Sequence, residues 1–190
     1  MKTFIIGLTG ASGSIYGLRL IEELAKRNFL VHVIATDTAK QVIPFETNIY
    51  LEAFLEDLQQ KGYRVVLEDA ANFFSSVASG SYQTDGMIIA PCSMGTLAEI
   101  AHGISDNLLD RAADVCLKER RPLILLARET PVNIINLENM LTLTKAGAII
   151  FPASPGFYSK PKTLEDIIDF MVGKILDSLH IENTLFKKWS

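Results

Sequence analysis

The sequence has little of what metal sites, disulfide frameworks and nucleic-acid surfaces require. Its 190 residues include two cysteines and three histidines, and neither type recurs at the spacing of a metal site. The scarcity of cysteine argues against a disulfide framework. The net charge is −4 and no basic block interrupts the chain. We therefore expect no metal ion and no nucleic acid among its partners.

Long hydrophobic runs are also missing. The first apolar segment, Phe4–Leu8, is too short for a signal peptide or a membrane span. We therefore predict a cytoplasmic protein that does not contact a membrane. Apolar residues make up 48% of the chain and charged residues 21%, which is ordinary for a globular domain. The length predicts one domain over residues 1–190.

What the sequence does contain is an alternation of apolar strands and amphipathic helices. The predicted strands are Phe4–Leu8, Leu30–Ala35, Val65–Leu67, Gly86–Ala90, Leu123–Ala127 and Ala148–Phe151. The predicted helices are Ile15–Lys26, a short helix that Pro44 ends, Leu51–Lys61, one that runs through Ile100, Leu108–Glu119, Ile134–Lys145 and Leu164–Leu179. This order predicts an α/β fold of three layers, Rossmann-like, with a parallel sheet covered by helices on both faces. Ligand-binding residues then lie at the carboxyl ends of the strands.

The loop Thr9–Gly13 joins the first predicted strand to the first helix. A helix N-terminus carries about half a positive charge, and glycine lets an anion approach closely, so this loop favours a phosphate. The glycines at 7, 10 and 13 do not match the spacing of the dinucleotide fingerprint. Because Asp37 closely follows the second strand, a nicotinamide cofactor is not excluded. The other reading of the loop is a tight turn that binds no ligand.

A second anion site is predicted where Ser93 opens the helix after the fourth strand. Hydroxyls and free N–H groups of Ser93–Thr96 suit a phosphate or the polar atoms of a flavin, and a plain helix cap is the alternative. Cys92 has no basic neighbour in the sequence. We therefore expect a buried thiol there rather than a nucleophile.

Arg128 and Glu129 follow a buried strand directly, which places them at the mouth of a cleft. Arginine can hold a phosphate with two parallel hydrogen bonds, and an ion pair within or between subunits is the alternative. Tyr158 lies in the last long loop, where an aromatic side chain is either a lid over the core or a donor to a phosphate. Lys118 and Lys174 are solvated helix charges, unless the fold or a neighbouring subunit brings them to the cleft.

Seven segments of the chain stand in a specific order and spacing. They are Thr9–Gly13, Pro91–Thr96, Arg111–Val115, Leu117–Leu123, Arg128–Pro131, Leu137–Met140 and Pro152–Tyr158. Together, from Thr3 to Trp189, the chain resembles the UbiX/Pad-type flavin prenyltransferases. The resemblance implies a flavoprotein of the cysteine-decarboxylase-like fold, usually a dodecamer, that binds FMN between subunits. It also implies metal-independent transfer of a dimethylallyl group from dimethylallyl monophosphate to N5 and C6 of reduced FMN, giving prenylated FMN for a UbiD-type decarboxylase.

The resemblance also implies residue roles. The residues it implies for FMN binding are Gly10, Ala11, Ser12, Thr36, Ser93, Met94, Gly95, Thr96 and Arg128. Those it implies around the prenyl phosphate and its allyl group are Phe73, Lys118, Arg128, Glu129, Tyr158 and Lys174. The implied catalytic residues are Ser12 near flavin N5, Glu46 for proton removal at C6, and Glu129 as the acid for the departing phosphate. Phe73 and Lys174 stand where some members have Trp and Arg.

Two other readings of the sequence differ in reaction class. The first is a flavin-dependent decarboxylase acting on a cysteine derivative, whose catalytic His and Asn signature has no match here. The second is a carrier subunit that only delivers FMN. Arg128, Glu129 and Tyr158 argue against a carrier, because a carrier has no need of a second phosphate site.

Overall fold

The computed structural model of the chain describes residues 1–189, and Ser190, the last residue of the predicted domain, lies outside them. Within the described residues the strands are β1 (Thr3–Leu8), β2 (Leu30–Ala35), β3 (Val65–Glu68), β4 (Gly86–Cys92), β5 (Leu123–Ala127) and β6 (Ile149–Pro152). The α-helices are α1 (Ser14–Lys26), α2 (Asp37–Thr47), α3 (Leu51–Gln60), α4 (Met94–Ala101), α5 (Leu108–Lys118), α6 (Ile134–Ala146) and α7 (Leu164–Ser178). None of these helices is both long and apolar enough to cross a lipid bilayer.

The six strands form one parallel sheet in the order β3-β2-β1-β4-β5-β6. In the middle of the sheet, Ile6 lies beside Val33 of β2 and Ile88 of β4. The chain moves outward from β1 to β3, returns to the other side of β1, and then moves outward again. Strand order therefore reverses between β1 and β4, which opens a crevice at their carboxyl ends. The predicted α/β fold with a parallel sheet is confirmed.

Side chains of each strand alternate between two apolar layers. On β1, Phe4, Ile6 and Leu8 pack with residues of α1, α2, α3 and α7, whereas Ile5 packs with residues of α4 and α5 on the other face. Each fully buried Leu or Ile side chain contributes about 2 kcal/mol to folding. The two layers fix the sheet between helices, and this leaves the strand ends as the places where polar residues can gather.

The prediction that Pro44 ends the second helix is wrong by one turn. α2 continues to Thr47 with Pro44 inside it. Proline removes only its own N–H from the helix, and the helix ends instead at Asn48, which is left-handed (φ 57°) and donates its N–H to the Pro44 carbonyl. The additional turn brings Glu46 into α2 and toward the start of α1.

The connection from β3 to β4 crosses one face of the sheet without an α-helix. Residues 69–85 contain a single short 3-10 turn, Ser76–Ala78, among the described residues. Val77 of this turn is buried in the apolar layer that contains α4 and α5. The loop that contains this turn lies against α5.

Candidate active site

The crevice between β1 and β4 is closed at its base by Thr9, the residue that follows β1. The Thr9 hydroxyl donates to the Pro91 carbonyl at 2.8 Å and accepts from the Ser93 N–H at 2.9 Å. Thr9 is buried, so both bonds are shielded from water. A single side chain thus links the loop after β1 to the loop after β4. Sequence reasoning placed Thr9 in the first loop and missed this role, although a threonine directly after a buried strand is a visible signal.

The first loop turns sharply into α1. Gly13 adopts φ 101°, a conformation that favours glycine, and a Cβ on Gly10 would lie 2.3 Å from the Thr38 side chain of α2. Ser12 is exposed at the tip of this turn. Glycine at position 10 therefore allows α2 to pack against the loop that the sequence predicts to line FMN.

The N-terminus of α1 already holds an anion from the same chain. The Glu46 carboxylate accepts from the Ser14 hydroxyl at 2.7 Å and from the N–H groups of Ser14 and Gly13 at 3.0 and 3.1 Å. A phosphate at this end of α1 would have to share these donors with Glu46. The simple prediction that this helix start is a phosphate site is therefore modified, because its donors are bound to an internal carboxylate.

The surroundings of Glu46 keep it ionised. Partial burial raises the pKa of its carboxyl. Hydrogen bonds from the hydroxyls of Ser12 and Ser14 and from the N–H groups of Ser14 and Gly13 lower the pKa by more than burial raises it. The pKa therefore lies below its usual value. Glu46 also lines a cavity of about 480 Å³ between α1, α2 and α7. It is therefore a carboxylate beside the Ser12 loop and next to open space.

The N-terminus of α4 is open by comparison. Ser93 caps the helix by accepting from the Thr96 N–H at 3.2 Å, and its hydroxyl donates to the Thr96 hydroxyl at 3.1 Å. The N–H groups of Met94 and Gly95 have no acceptor among residues 1–189, and Gly95 is exposed. The two interpretations of Ser93–Thr96, a helix cap and an anion site, are therefore compatible. Ser93 caps the helix, and the first turn of the helix still presents free N–H donors that suit an anion.

Arg128 stands beside this open turn with an unsatisfied donor. Its main-chain N–H donates to the Cys92 carbonyl at 3.2 Å, which fixes the end of β5 next to the end of β4. Its Nε is buried and has no hydrogen-bond partner within the described residues. Arg128, Glu129 and Ser154 line a cavity of about 300 Å³ at the carboxyl ends of β5 and β6. A buried guanidinium N–H without an acceptor is costly, so this arrangement suits a bound anionic group.

Glu129 is exposed at the mouth of the same cavity. Its Oε1 accepts from the Thr130 N–H at 2.9 Å, and no ion pair joins it to Arg128 within residues 1–189. The ion-pair alternative for Arg128 and Glu129 is thus not what this protomer forms. Both side chains remain directed at the cavity that they line.

Cys92, the last residue of β4, and Asp110 of α5 are both buried. Burial, together with the nearby charge of Asp110, raises the pKa of the Cys92 thiol far above its usual value, in agreement with an inert buried thiol. Burial also raises the pKa of Asp110 to about 7, Glu99 and Asp106 add to the effect, and the hydrogen bond from Asn107 opposes it. The Asp110 Oδ1 atom has no partner within the described residues.

Tyr158 belongs to an aromatic cluster near the end of the chain. Its ring contacts Phe170 of α7 and Trp189 edge-on, with both centroids 5.5 Å away, and Phe170 in turn contacts Phe186. Tyr158 itself is 42% exposed. Lys174 lies one helical turn beyond Phe170 on α7, so the two predicted substrate residues share one region of the surface.

One protomer does not bring all the predicted residues together. Lys118 is the last residue of α5 and lies at the end of the sheet where the parallel strands begin. There it pairs with Glu119. Arg128 follows β5 and lies at the carboxyl ends of the strands. The five residues of β5, about 16 Å long, separate these two ends of the sheet. Phe73 lies on the loop that leaves the edge strand β3 and is 45% exposed. Thr36 caps α2 through the Ala39 N–H at the carboxyl end of β2.

Comparison with known proteins identifies the family of this chain. A family model described as Flavoprotein matches residues 1–176. The flavin prenyltransferase UbiX of Alkalihalophilus pseudofirmus is 47% identical over 196 aligned residues, covering 99% of this chain and 96% of that protein. The chain belongs to the UbiX flavin prenyltransferase family. The predicted family is thereby confirmed.

Solved structures of UbiX proteins share the fold closely. The crystal structure of AnUbiX (PadA1) in complex with FMN and dimethylallyl pyrophosphate has a TM-score of 0.94 and 39% identity, covering 100% of this chain and 97% of that one. A dodecameric FMN-dependent UbiX-like decarboxylase from Escherichia coli O157:H7 has a TM-score of 0.92 and 38% identity, with 99% of both chains covered. The peptidyl-cysteine decarboxylase EpiD, at 19% identity and a TM-score of 0.62, shares the fold alone.

Proposed function

We propose that this chain is a flavin prenyltransferase that transfers a dimethylallyl group from dimethylallyl monophosphate to N5 and C6 of reduced FMN. Residues 1–190 act as one flavin-binding domain in this proposal. The observation that carries it is the buried Nε of Arg128, which has no hydrogen-bond partner among residues 1–189 and lies beside the open turn of α4. These donors suit an anionic ligand. The relatives support a flavin nucleotide and a prenyl phosphate as the ligands, because they are flavin prenyltransferases and one is solved with FMN and dimethylallyl pyrophosphate.

FMN binding is assigned to the crevice between β1 and β4. The first loop contributes Gly10, Ala11 and Ser12, and Thr36 borders the same edge of the sheet. The turn Ser93–Thr96 and Arg128 supply N–H donors and positive charge. Reduced FMN supplies the two nucleophilic positions of the reaction. Support for this assignment comes from the Thr9 bonds, which hold both loops at one crevice.

The prenyl donor is assigned to the cavity in front of Arg128 and Glu129. Phosphate is a modest leaving group, so cationic and acidic help at its oxygen lowers the barrier. Glu129 donates a proton to the departing phosphate. Arg128 and Lys174 balance the charge of the phosphate, and the Tyr158 hydroxyl donates a hydrogen bond to it. Glu46, held as a carboxylate at the start of α1, removes the proton from C6. The aromatic rings of Phe73 and Tyr158 shield the allylic cation from water.

Completion of the site requires neighbouring copies of the chain. Lys118 lies at the edge of the sheet opposite Arg128, so it can reach a prenyl phosphate only in another subunit. Large apolar side chains are exposed in one protomer at positions suited to such contacts: Phe45, Phe74, Ile134, Ile135, Leu137 and Leu141. We infer a homo-oligomer, of the dodecameric kind found in the E. coli neighbour. A UbiD-type decarboxylase as recipient of prenylated FMN and a cytoplasmic location are parts of the same proposal.

Anaerobic turnover tests the proposed function directly. The purified protein is mixed with reduced FMN and dimethylallyl monophosphate, and the mass of the flavin is measured, with the pyrophosphate in a parallel reaction. We expect the flavin to gain one C5 unit. In a separate reaction with FMN and a cysteine peptide, loss of carbon dioxide from the peptide would instead identify a cysteine decarboxylase. An unchanged flavin with both donors would identify an FMN carrier.

A further inference from the structure

A buried polar cluster lies outside the candidate active site, between β2, β3 and the loop over residues 69–85. His32 of β2 is 6% exposed, and its Nδ1 lies 2.6 Å from the Glu68 carboxylate. Its Nε2 lies 2.9 Å from the Tyr82 hydroxyl, and the two rings meet edge-on. The second oxygen of Glu68 accepts from the Ser75 hydroxyl at 2.8 Å. We call these four residues the His32 cluster.

The His32 cluster is satisfied whichever protonation state the histidine adopts. The Tyr82 hydroxyl donates to a neutral ring nitrogen and accepts from a protonated one, while Glu68 accepts from the other ring nitrogen in both cases. Fully satisfied buried networks are rigid, because each member fixes the orientation of the next. The polar partners of His32 come from far along the chain, at Glu68 and Tyr82.

One end of the cluster holds the turn that carries Phe73. The Ser75 N–H donates to the Asn72 carbonyl at 3.2 Å, and the Phe74 N–H donates to the Asn72 side chain at 3.0 Å. The Ser75 hydroxyl is therefore the link between this turn and Glu68 at the end of β3. Phe73 lies two residues from that link.

The rest of the loop is fixed through its main-chain carbonyls, which accept hydrogen bonds from α5 and from Arg121 beside it. The Ala70 carbonyl accepts from the Leu108 N–H at 2.8 Å, and the Ala78 carbonyl accepts from the Arg111 guanidinium at 3.1 Å. Arg121 donates to the carbonyls of Gly80 and Tyr82 at 2.5 and 2.7 Å. A long loop without a helix is thus held at points along its length, while its aromatic tip stays in solvent.

The exposed tip is the unusual part of this arrangement. Phe73 is 45% exposed and Phe74 is fully exposed, although the turn beneath them is anchored. Long loops in compact domains are commonly functional, and a pre-organised aromatic group loses less conformational entropy when it meets a ligand. We propose that His32, Glu68 and Ser75 are positioning residues that fix Phe73 for prenyl transfer. This inference rests on the proposed function, and it assigns a role to residues that do not touch the reacting atoms.

The positioning itself is tested without any measurement of activity. Phe73 is replaced by 4-fluorophenylalanine, and its fluorine resonance is recorded in the wild-type background and with Ser75→Ala. We expect Ser75→Ala to change the chemical shift or the line width of this resonance, because the turn loses its bond to Glu68. Ser81→Ala is the matched control, since within the described residues the Ser81 hydroxyl bonds only to the Ser79 hydroxyl of the same loop. A fluorine label at the exposed Phe45 of α2 should not respond to either change.

The effect on the reaction is tested by a double-mutant cycle with Phe73→Ala. Ser75→Ala should slow prenyl transfer about three- to tenfold, the range expected for one lost hydrogen bond, without changing the affinity for FMN. In the Phe73→Ala background, Ser75→Ala should cause no further slowing, because it acts through Phe73. Tyr82→Phe, which keeps the ring and removes the hydroxyl, should act in the same direction, and Ser81→Ala should leave the rate unchanged.

Different outcomes separate this inference from the proposed function. Equal slowing by Ser75→Ala in both backgrounds, or a fluorine resonance that does not respond, would overturn the positioning role. If the wild-type protein transfers no prenyl group from either phosphate ester, the proposed function fails instead. The fluorine measurement still decides in that case whether the His32 cluster fixes Phe73.

Discussion

The helix starts of α1 and α4 lie at the same edge of the sheet, after the two central strands, yet they treat anions differently. At α1, the Glu46 carboxylate of the same chain binds the N–H groups of Gly13 and Ser14. At α4, Ser93 caps one N–H and leaves those of Met94 and Gly95 without an acceptor among residues 1–189. Both helices offer the same dipole, so the difference is whether the chain itself supplies the negative charge.

We propose separate tasks for these two loops, which look alike in the sequence. The α1 loop holds a carboxylate in its ionised form next to Ser12. The α4 loop keeps donors free beside Arg128, whose Nε is also unsatisfied within the described residues. We infer that the first loop orients a reactive carboxylate, while the second binds an external anionic group. The substitutions below test this difference between the two helix starts.

The largest effect is expected at Arg128, on the open side of the contrast. Arg128→Ala should weaken FMN binding by about 2–3 kcal/mol, roughly 30- to 150-fold, because charge-assisted hydrogen bonds from a guanidinium with a buried Nε are lost. Flavin fluorescence titration measures this affinity. Arg128→Lys keeps the charge but loses the planar guanidinium, so its FMN affinity should lie between those of the wild type and Arg128→Ala. Equal FMN affinity in all three proteins would remove Arg128 from the site.

The next effect concerns Asp110, the buried carboxyl of α5. Because its folded pKa of about 7 lies above the unfolded value of about 3.9, the folded state favours its protonated form. Stability from this residue is therefore present below pH 4 and is lost as the pH rises from about 4 to 7. Asp110→Asn should remove this loss and stabilise the protein at pH 7.5 by on the order of 2 kcal/mol.

Urea unfolding at fixed protein concentration, at pH 5 and pH 7.5, measures the Asp110 effect. Asp114→Asn on the same helix is the matched control, since Asp114 is partly exposed and paired with Arg111. Its unfolding midpoint should change equally at both pH values. A pH dependence that Asp110→Asn leaves intact would assign the loss to other groups.

A smaller effect is expected at Thr9, which ties the two loops together. Thr9→Val preserves the shape but leaves the Pro91 carbonyl and the Ser93 N–H without a partner in a buried place. We expect a loss of about 1.5 kcal/mol in unfolding free energy and weaker FMN binding. Thr9→Ser retains the hydroxyl and should behave like the wild type in both measurements. If valine is tolerated fully, the crevice does not depend on this link.

The smallest effect on stability, and the most direct change to the contrast, comes from Glu46→Ala. The start of α1 then resembles that of α4, with free N–H groups. We expect a loss of about 1 kcal/mol in unfolding free energy, as for a helix cap, together with new sulfate or phosphate binding at α1. Resonance shifts of the Gly13 and Ser14 amides on adding sulfate measure that binding, and the wild type should show none.

Acid should reduce the difference between Glu46→Ala and the wild type. The folded pKa of Glu46 lies below its usual value of 4.5, so the stabilisation is present above that value and fades as the pH falls through the folded pKa. Glu46→Gln keeps the geometry without the charge and should retain part of the stability. An unchanged difference at low pH would mean that Glu46 acts through packing alone.

The sequence predicted the sheet well because its strands carry continuous apolar runs. β2 and β5 match the predicted bounds, and β1 differs only by Thr3. The error at Pro44 came from treating proline as a certain helix end, whereas Asn48 decided where α2 stops. Local pattern therefore identified elements, and local backbone geometry set their ends.

The site was less accessible to sequence reasoning, since its key contacts join distant residues. Arg128 and Ser93 were visible as polar residues after buried strands. The bond between Glu46 and Gly13 depends on how α2 packs against α1, and the His32 cluster depends on a loop that crosses the sheet. No periodicity in the chain encodes these pairings. The roles of the individual site residues remain predictions, and the substitutions above address them.

The location of Lys118 has a consequence for how two inactive mutant chains behave in one assembly. If Lys118 serves a neighbour's pocket, then a defect there harms a site built by a different copy, while the altered copy keeps its own strand-end residues intact. Mixed assemblies of a Lys118-defective chain and an Arg128-defective chain would contain some undamaged pockets. Two inactive alleles expressed in one cell would then complement each other, as they do when a shared pocket is divided between gene products.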